Sequence, residues 1–181
     1  MLFRVVPGIP CWYSKQHEAV ALHEIARIID QLGREFEGDP WHGSPLSSIL
    51  AGVSHQQAAA RPVADAHSIW ELVLHIAAWK NEVRRRLSGA PAAEPQEGDW
   101  PAVGEVTAER WSAALEHLDT SHRLLVSAVR DFPEQDLYIP TNDPRHRELG
   151  TGVTHYELLH GIVQHDVYHS GQIALLKKAS R

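Results

Sequence analysis

An all-α four-helix bundle is the fold this sequence predicts, and three observations predict it. Apolar residues recur at three- and four-residue spacing through four long segments. No stretch alternates apolar and polar residues in the manner of a half-buried strand. Clusters of Pro, Gly and Asp fall between the four segments rather than within them. With 181 residues, 43% of them hydrophobic, the chain can bury one core of ordinary size, so a single domain over 1–181 is expected.

The first helix carries the stripe Leu22, Ile25, Ile29, Leu32, Phe36, with Ser14 upstream as a cap and "GDP" as its stop. The second opens at "SIWE", where Ser68 and Glu71 have the spacing of a capping box. Its stripe runs Leu72, His75, Trp79, Val83 until "SGAP" ends it. Trp111, Leu115, Leu118, His122, Leu125, Val129 and Phe132 mark the third, the most regular pattern in the chain. A second capping box, Thr154 to Glu157, starts the fourth after Gly152, and its stripe passes through Leu158, Ile162, His165, His169, Ile173 and Leu176. Two short helical pieces are expected in the connection 37–67, one at "SPLSSIL" and one at "SHQQAAA". Residues 88–106 and 131–153 read as loops, long enough to form the rim of a pocket.

Composition narrows the function. Seventeen Lys and Arg against 23 Asp and Glu leave a net charge of -6, which speaks against nucleic acid or an anionic membrane surface as a partner. The apolar run "MLFRVVPGIP" is too short and proline-broken for a signal segment, and no run reaches the eighteen apolar residues of a membrane span, so a cytoplasmic protein is expected. Cys11 is the only cysteine, which rules out an internal disulfide and a thiolate cluster. Any metal must therefore be held by nitrogen and oxygen.

The fourth helix contains "HGIVQHDVYHSGQI", with His165 and His169 four residues apart. Among 13 histidines about one such pair arises by chance, so the spacing alone decides nothing. Position decides more. Both residues share the stripe of Leu158, Ile162, Ile173 and Leu176, so both imidazoles point into the bundle. Two buried imidazoles on adjacent turns compete for hydrogen-bond partners, and a divalent cation relieves the competition. His75, on the core stripe of the second helix, completes a three-nitrogen set with open positions.

The segments "HSIWELVLHIAAWKNEVRRRLSG" and "LLHGIVQHDVYHSGQIALLKK", with "WHGSPL" and "GDWP" in the loops, resemble the DinB-like superfamily, including its YfiT-like metal-dependent hydrolases and its thiol S-transferases. The resemblance covers roughly residues 14–180. It implies a four-helix bundle of the DinB/YfiT-like type holding a divalent metal, zinc or nickel, through His75, His165 and His169. It implies as well a metal-activated thiol or water, a small-molecule substrate, a low-molecular-weight thiol partner and a homodimer. Imidazole and water ligands suit iron and copper too. Members often carry a basic residue after the last histidine, where this chain has Ser170.

Other residues have simpler readings. His122, on a core stripe, is the competing third ligand, though a core histidine bonded to a neighbour is expected; His160 is expected to lie off the face of His165, lining a pocket or the surface; Asp166 is expected to be an exposed helical carboxylate, the alternative being that it orients a metal-bound imidazole. Trp41 is expected to bury itself over the end of the bundle, next to His42, and Trp70, Trp79, Trp100 and Trp111 to be core aromatics. "HDVYH" also has the spacing of a zincin protease motif, with Asp166 in the place of glutamate. That carboxylate is one methylene short, and the residues after His169 include no His, Asp or Glu as a further ligand. A metal-binding stress-response bundle without catalysis is the other alternative.

Overall fold

A computed structural model describes residues 23–141 and 153–180. Among the described residues there are six α-helices and no β-strand: α1 (Glu24–Phe36), α2 (Leu46–Leu50), α3 (His55–Ala59), α4 (Ile69–Leu87), α5 (Ala108–Arg130) and α6 (His155–Ala179). The fold is all-α, as the periodicity requires. The predicted cap Ser14 and the stripe residue Leu22 lie outside the described residues. No helix among the described residues is long and apolar enough to cross a membrane.

Both predicted capping boxes set their helices. Ser68 Oγ accepts from the Glu71 amide at 3.2 Å while Glu71 returns a carboxylate to the Ser68 amide at 2.7 Å; Thr154 and Glu157 repeat the exchange at 3.2 and 2.7 Å. The two short pieces in the first connection are α2 and α3, the latter with a capping box of its own at Ser54 and Gln57. The long helices form a closed ring, α4 packing on α5 and α6, and α1 closing the far side against the same two. α2 lies on α6 and α1, and α3 on α4 and α5.

The core falls into two apolar halves. One gathers Trp70, Val73, Ile76, Trp111, Leu118, Ile173 and Leu176; the other gathers Ile28, Leu32, Val83, Leu125, Val129, Leu159 and Ile162. Between them, in the order of residues along every long helix, stands a polar side chain: Glu35 on α1, Lys80 on α4, His122 on α5 and Asp166 on α6, all buried. Charged groups are almost never fully buried unless paired. This layer sets a band of polar groups between the two apolar halves.

Candidate metal centre

His75 stands in the middle of α4, and His165 and His169 are one turn apart on α6; the packing of the two helices brings the three rings together. One nitrogen from each lies within 4.8 Å of the other two, and the Nε2 atoms of His75 and His165 are 3.0 Å apart. A tetrahedral zinc with nitrogens at 2.0–2.1 Å sets its ligand atoms about 3.3 Å from one another. The closest pair already has that separation to within a few tenths of an ångström.

The opposite edges of two of the rings meet an acceptor. His75 Nδ1–H donates to the Asp99 carbonyl at 2.6 Å, and His169 Nδ1–H to Gln172 Oε1 at 2.7 Å. Because those oxygens only accept, both rings carry their proton on Nδ1 and turn a lone pair inward from Nε2. His165 cannot settle the same way without a third party. To fill the 3.0 Å contact it must present Nε2–H to His75, which leaves its Nδ1 as a bare lone pair 3.7 Å from Asp166 Oδ1. Both of those atoms are buried and lack a hydrogen-bond partner. A cation among the three rings would remove the conflict, since His165 could then carry its proton on Nδ1, toward the carboxylate, and offer the Nε2 lone pair beside that of His75. The donor set and its orphaned atoms thus fit a divalent metal.

Loop 88–106 supplies the support for His75. Glu82, buried on α4, accepts from the Ala93 amide at 2.9 Å and from Arg86 at 2.8 Å, which ties the loop back to the helix it has just left. Gly98, at φ +89°, then makes the turn that delivers Asp99 and Trp100 over the site. Asp99 Oδ1 also accepts from Trp79 Nε1 at 2.8 Å. The Trp100 ring lies parallel between two imidazoles, 4.0 Å from His75 and 3.4 Å from His67.

Electrostatics favour the neutral form of His75 and His169. Burial lowers His75 below the ordinary histidine range, and burial with the neighbouring imidazoles lowers His169 to about 4. Behind them Lys80 forms an ion pair with Asp166, both without any exposure to solvent. Burial pushes Asp166 up, but Lys80 and His165 outweigh it and hold the carboxyl below its usual value. Glu35, accepting from Ser170 Oγ at 2.6 Å, goes the other way, raised to about 7 by burial and by the charge of Asp166. Burial and the Lys80 ammonium take His122 down to about 3.

Several expectations are corrected. Asp166 is not an exposed carboxylate: the buried face of α6 runs Leu159, Ile162, Asp166, His169, Ile173, so Asp166 sits at its centre and His165 at its edge, a quarter exposed. Held by Lys80 and closed to water, it cannot act as a protease base, which removes the main support for the zincin alternative. Trp41 is fully exposed rather than folded over the bundle end, and Trp100, 37% exposed, is a wall of the site rather than a core aromatic. Trp70 and Trp111 are core residues as expected. His122 is a core histidine 3.4 Å from Lys80 Nζ and stacked on Phe36 at 3.9 Å, and it does not join the three. His160 faces away and meets Glu24 at 3.1 Å. Ser170 is buried against Glu35, so the position after the last histidine does not face a ligand in this chain.

Sequence reasoning passed over Glu35, Lys80, Asp99 and Gln172. For the first two a signal existed: Ile28, Leu32, Glu35 and Ile76, Lys80, Val83 each follow core spacing, with a charge where an apolar residue belongs. A cavity of about 830 Å³ between α1 and α6 takes none of the three imidazoles into its wall, which includes Asp30, Arg34, Glu35 and Asp39.

The family model of the DinB superfamily matches residues 41–173, a span that includes His75, His165 and His169. No curated protein and no solved structure matches the chain. With more than half of its length matched and a helical bundle that joins the second-helix histidine to the terminal pair, the chain belongs to the DinB superfamily.

Proposed function

We propose that His75, His165 and His169 hold a divalent cation, zinc or nickel before iron or copper, and that the protein joins a low-molecular-weight thiol to a small-molecule electrophile. The observation that carries this reading is the arrangement of the three rings: the Nδ1 groups of His75 and His169 donate to acceptors, that of His165 lies 3.7 Å from Asp166 Oδ1, and one nitrogen of each ring lies within 4.8 Å of the other two. Three neutral imidazoles leave the ion's two positive charges uncompensated, and its Lewis acidity then holds a thiol as thiolate or acidifies a water.

The remaining work belongs to the side chains. Asp99 and Gln172 fix the tautomers of His75 and His169. Asp166 takes the Nδ1 proton edge of His165, and Lys80 keeps that carboxylate charged in the interior. A thiol nucleophile is favoured over water because Asp99 and Asp166 both face Nδ1 edges, away from the side where a water proton would have to be taken. In the transfer the thiol proton goes to solvent, sulfur bonds to the electrophilic carbon, and the leaving group departs with its electron pair.

A cobalt-substituted sample tests this. Addition of a small thiol is expected to produce an intense near-ultraviolet charge-transfer band and consumption of the thiol when an electrophile follows. An unchanged spectrum alongside hydrolysis of an ester would transfer the reading to water activation; an unchanged spectrum with neither reaction would leave a metal-binding bundle without catalysis.

A further inference from the structure

A second cavity, about 390 Å³, shares a wall with the triad: His169 and its partner Gln172 line one side of it. That volume is within the range of small-molecule sites. Its other walls are Val63, Ala66 and Leu72, Leu175 and Leu176, and the rings of His67, Trp100 and Tyr168. In a chain with 22% charged residues, no Lys, Arg, Asp or Glu lines it. The contrast with the larger cavity, which has carboxylates and an arginine in its wall, is sharp. A charged group entering the smaller one would give up its hydration and meet imidazole, amide and phenol groups but no Lys, Arg, Asp or Glu, whereas an apolar group gains by leaving water.

The cavity's position gives this chemistry a use. Trp100 bears on His75 with one face and carries its exposed edge into the cavity wall, and Tyr168 meets His169 edge-on at 5.0 Å. A body seated there lies directly beside the imidazoles, with Val63, Trp100, Tyr168 and Leu175, all exposed, forming the open side. We propose that this cavity binds an uncharged apolar body, aryl or branched alkyl, of the electrophile whose reacting carbon is presented at the triad. The assignment rests on the metal-dependent transfer reading for its use, though not for the binding itself.

The test titrates metal-loaded and metal-free protein with 2-naphthol and with 2-naphthalenesulfonate by equilibrium dialysis, and measures metal content on the same samples. 2-Naphthol is expected to bind at least tenfold more tightly than the sulfonate. Leu175→Asp and Val63→Asp, on exposed positions that tolerate charge for folding, are expected to weaken it at least tenfold; Leu124→Asp, exposed on α5 away from the cavity, is expected to leave it unchanged. Equal binding of the two probes, or no effect of either cavity variant, overturns the proposal. So does a wild-type dimer that Leu175→Asp dissociates while 2-naphthol fails to bind, since a second copy then covers this face. Binding of 2-naphthol by protein that takes up no metal supports the cavity and removes the transfer reading; metal uptake without probe binding does the reverse.

Discussion

Two histidine environments flank the Lys80–Asp166 pair in this bundle and behave in opposite ways. His122 is buried, sits beside an ammonium that fills its Nδ1, stacks on Phe36, and is no part of the three-histidine group among the described residues. His165 is only three-quarters buried, yet it is the incomplete one, with an orphaned Nδ1 and a crowded Nε2. Burial alone therefore does not mark a ligand. What marks it is a set of hydrogen-bond demands that protein atoms cannot satisfy together. In the polar layer on which both environments rest, Lys80 and Asp166 neutralise one another, and a pKa raised to about 7 holds Glu35 partly protonated near neutral pH.

The contrast can be broken most completely at the rings. His75→Ala, His165→Ala and His169→Ala are each expected to abolish stoichiometric metal, while His122→Ala retains it, by elemental analysis of purified protein. Retention of metal by any of the three, or loss in His122→Ala, would place the ion elsewhere. Lys80→Met comes next. It strands a buried carboxylate, a change that costs about 3–5 kcal/mol in comparable pairs, and urea unfolding should show the loss; a fall below about 1 kcal/mol would mean that Asp166 is protonated or solvated in the native state.

Asp166→Asn separates the two roles of that residue. Lys80 keeps a neutral partner, but His165 loses the anion opposite its Nδ1. Metal affinity is expected to fall about 10- to 100-fold, the usual effect of removing such a support, and a competition titration with a chromogenic chelator measures it. Unchanged affinity would show that the carboxylate serves only the lysine.

The smallest effect sharpens the comparison through pH, in metal-free protein. His122 is lowered from 6.5 to about 3, so between those values the unfolded chain holds a proton that the folded chain lacks, and stability rises with pH. Glu35 is raised from 4.5 to about 7, so between those values the folded chain holds the extra proton, and stability falls with pH. The two slopes oppose each other from about 4.5 to 6.5. Glu35→Gln removes one of them, and its stability is expected to climb more steeply with pH across that window than that of the parent, by up to about 1.4 kcal/mol per pH unit. Parallel profiles would show that Glu35 is ionised in the fold.

How far the sequence reaches is set by what periodicity can encode. The four long helices were legible because each keeps an apolar stripe, and Ser68–Glu71 and Thr154–Glu157 fix two starts by local hydrogen bonding alone. His75, His165 and His169 could be named together because all three fall on such stripes. The one-residue difference on α6 shows the limit: residues 165 and 166 are 100° apart around the helix, both border the stripe through Ile162, and only packing against α4 decides that Asp166 takes the centre. Lys80 and Glu35 sat at core spacing, but a lone charge at such a position is read as surface until its partner, from another helix, is known. Asp99 and Gln172 bear on the site through loop geometry and a side-chain rotamer, which no periodicity carries.

The clamped indole of Trp100 gives the protein a built-in optical gauge. With an imidazole against each face, its emission depends on whether those rings are neutral, protonated or drawn toward an ion. A change at His75 is registered one stacking distance away, without a dye or a label, and substitution of Trp100 by Phe subtracts that signal from those of the other tryptophans.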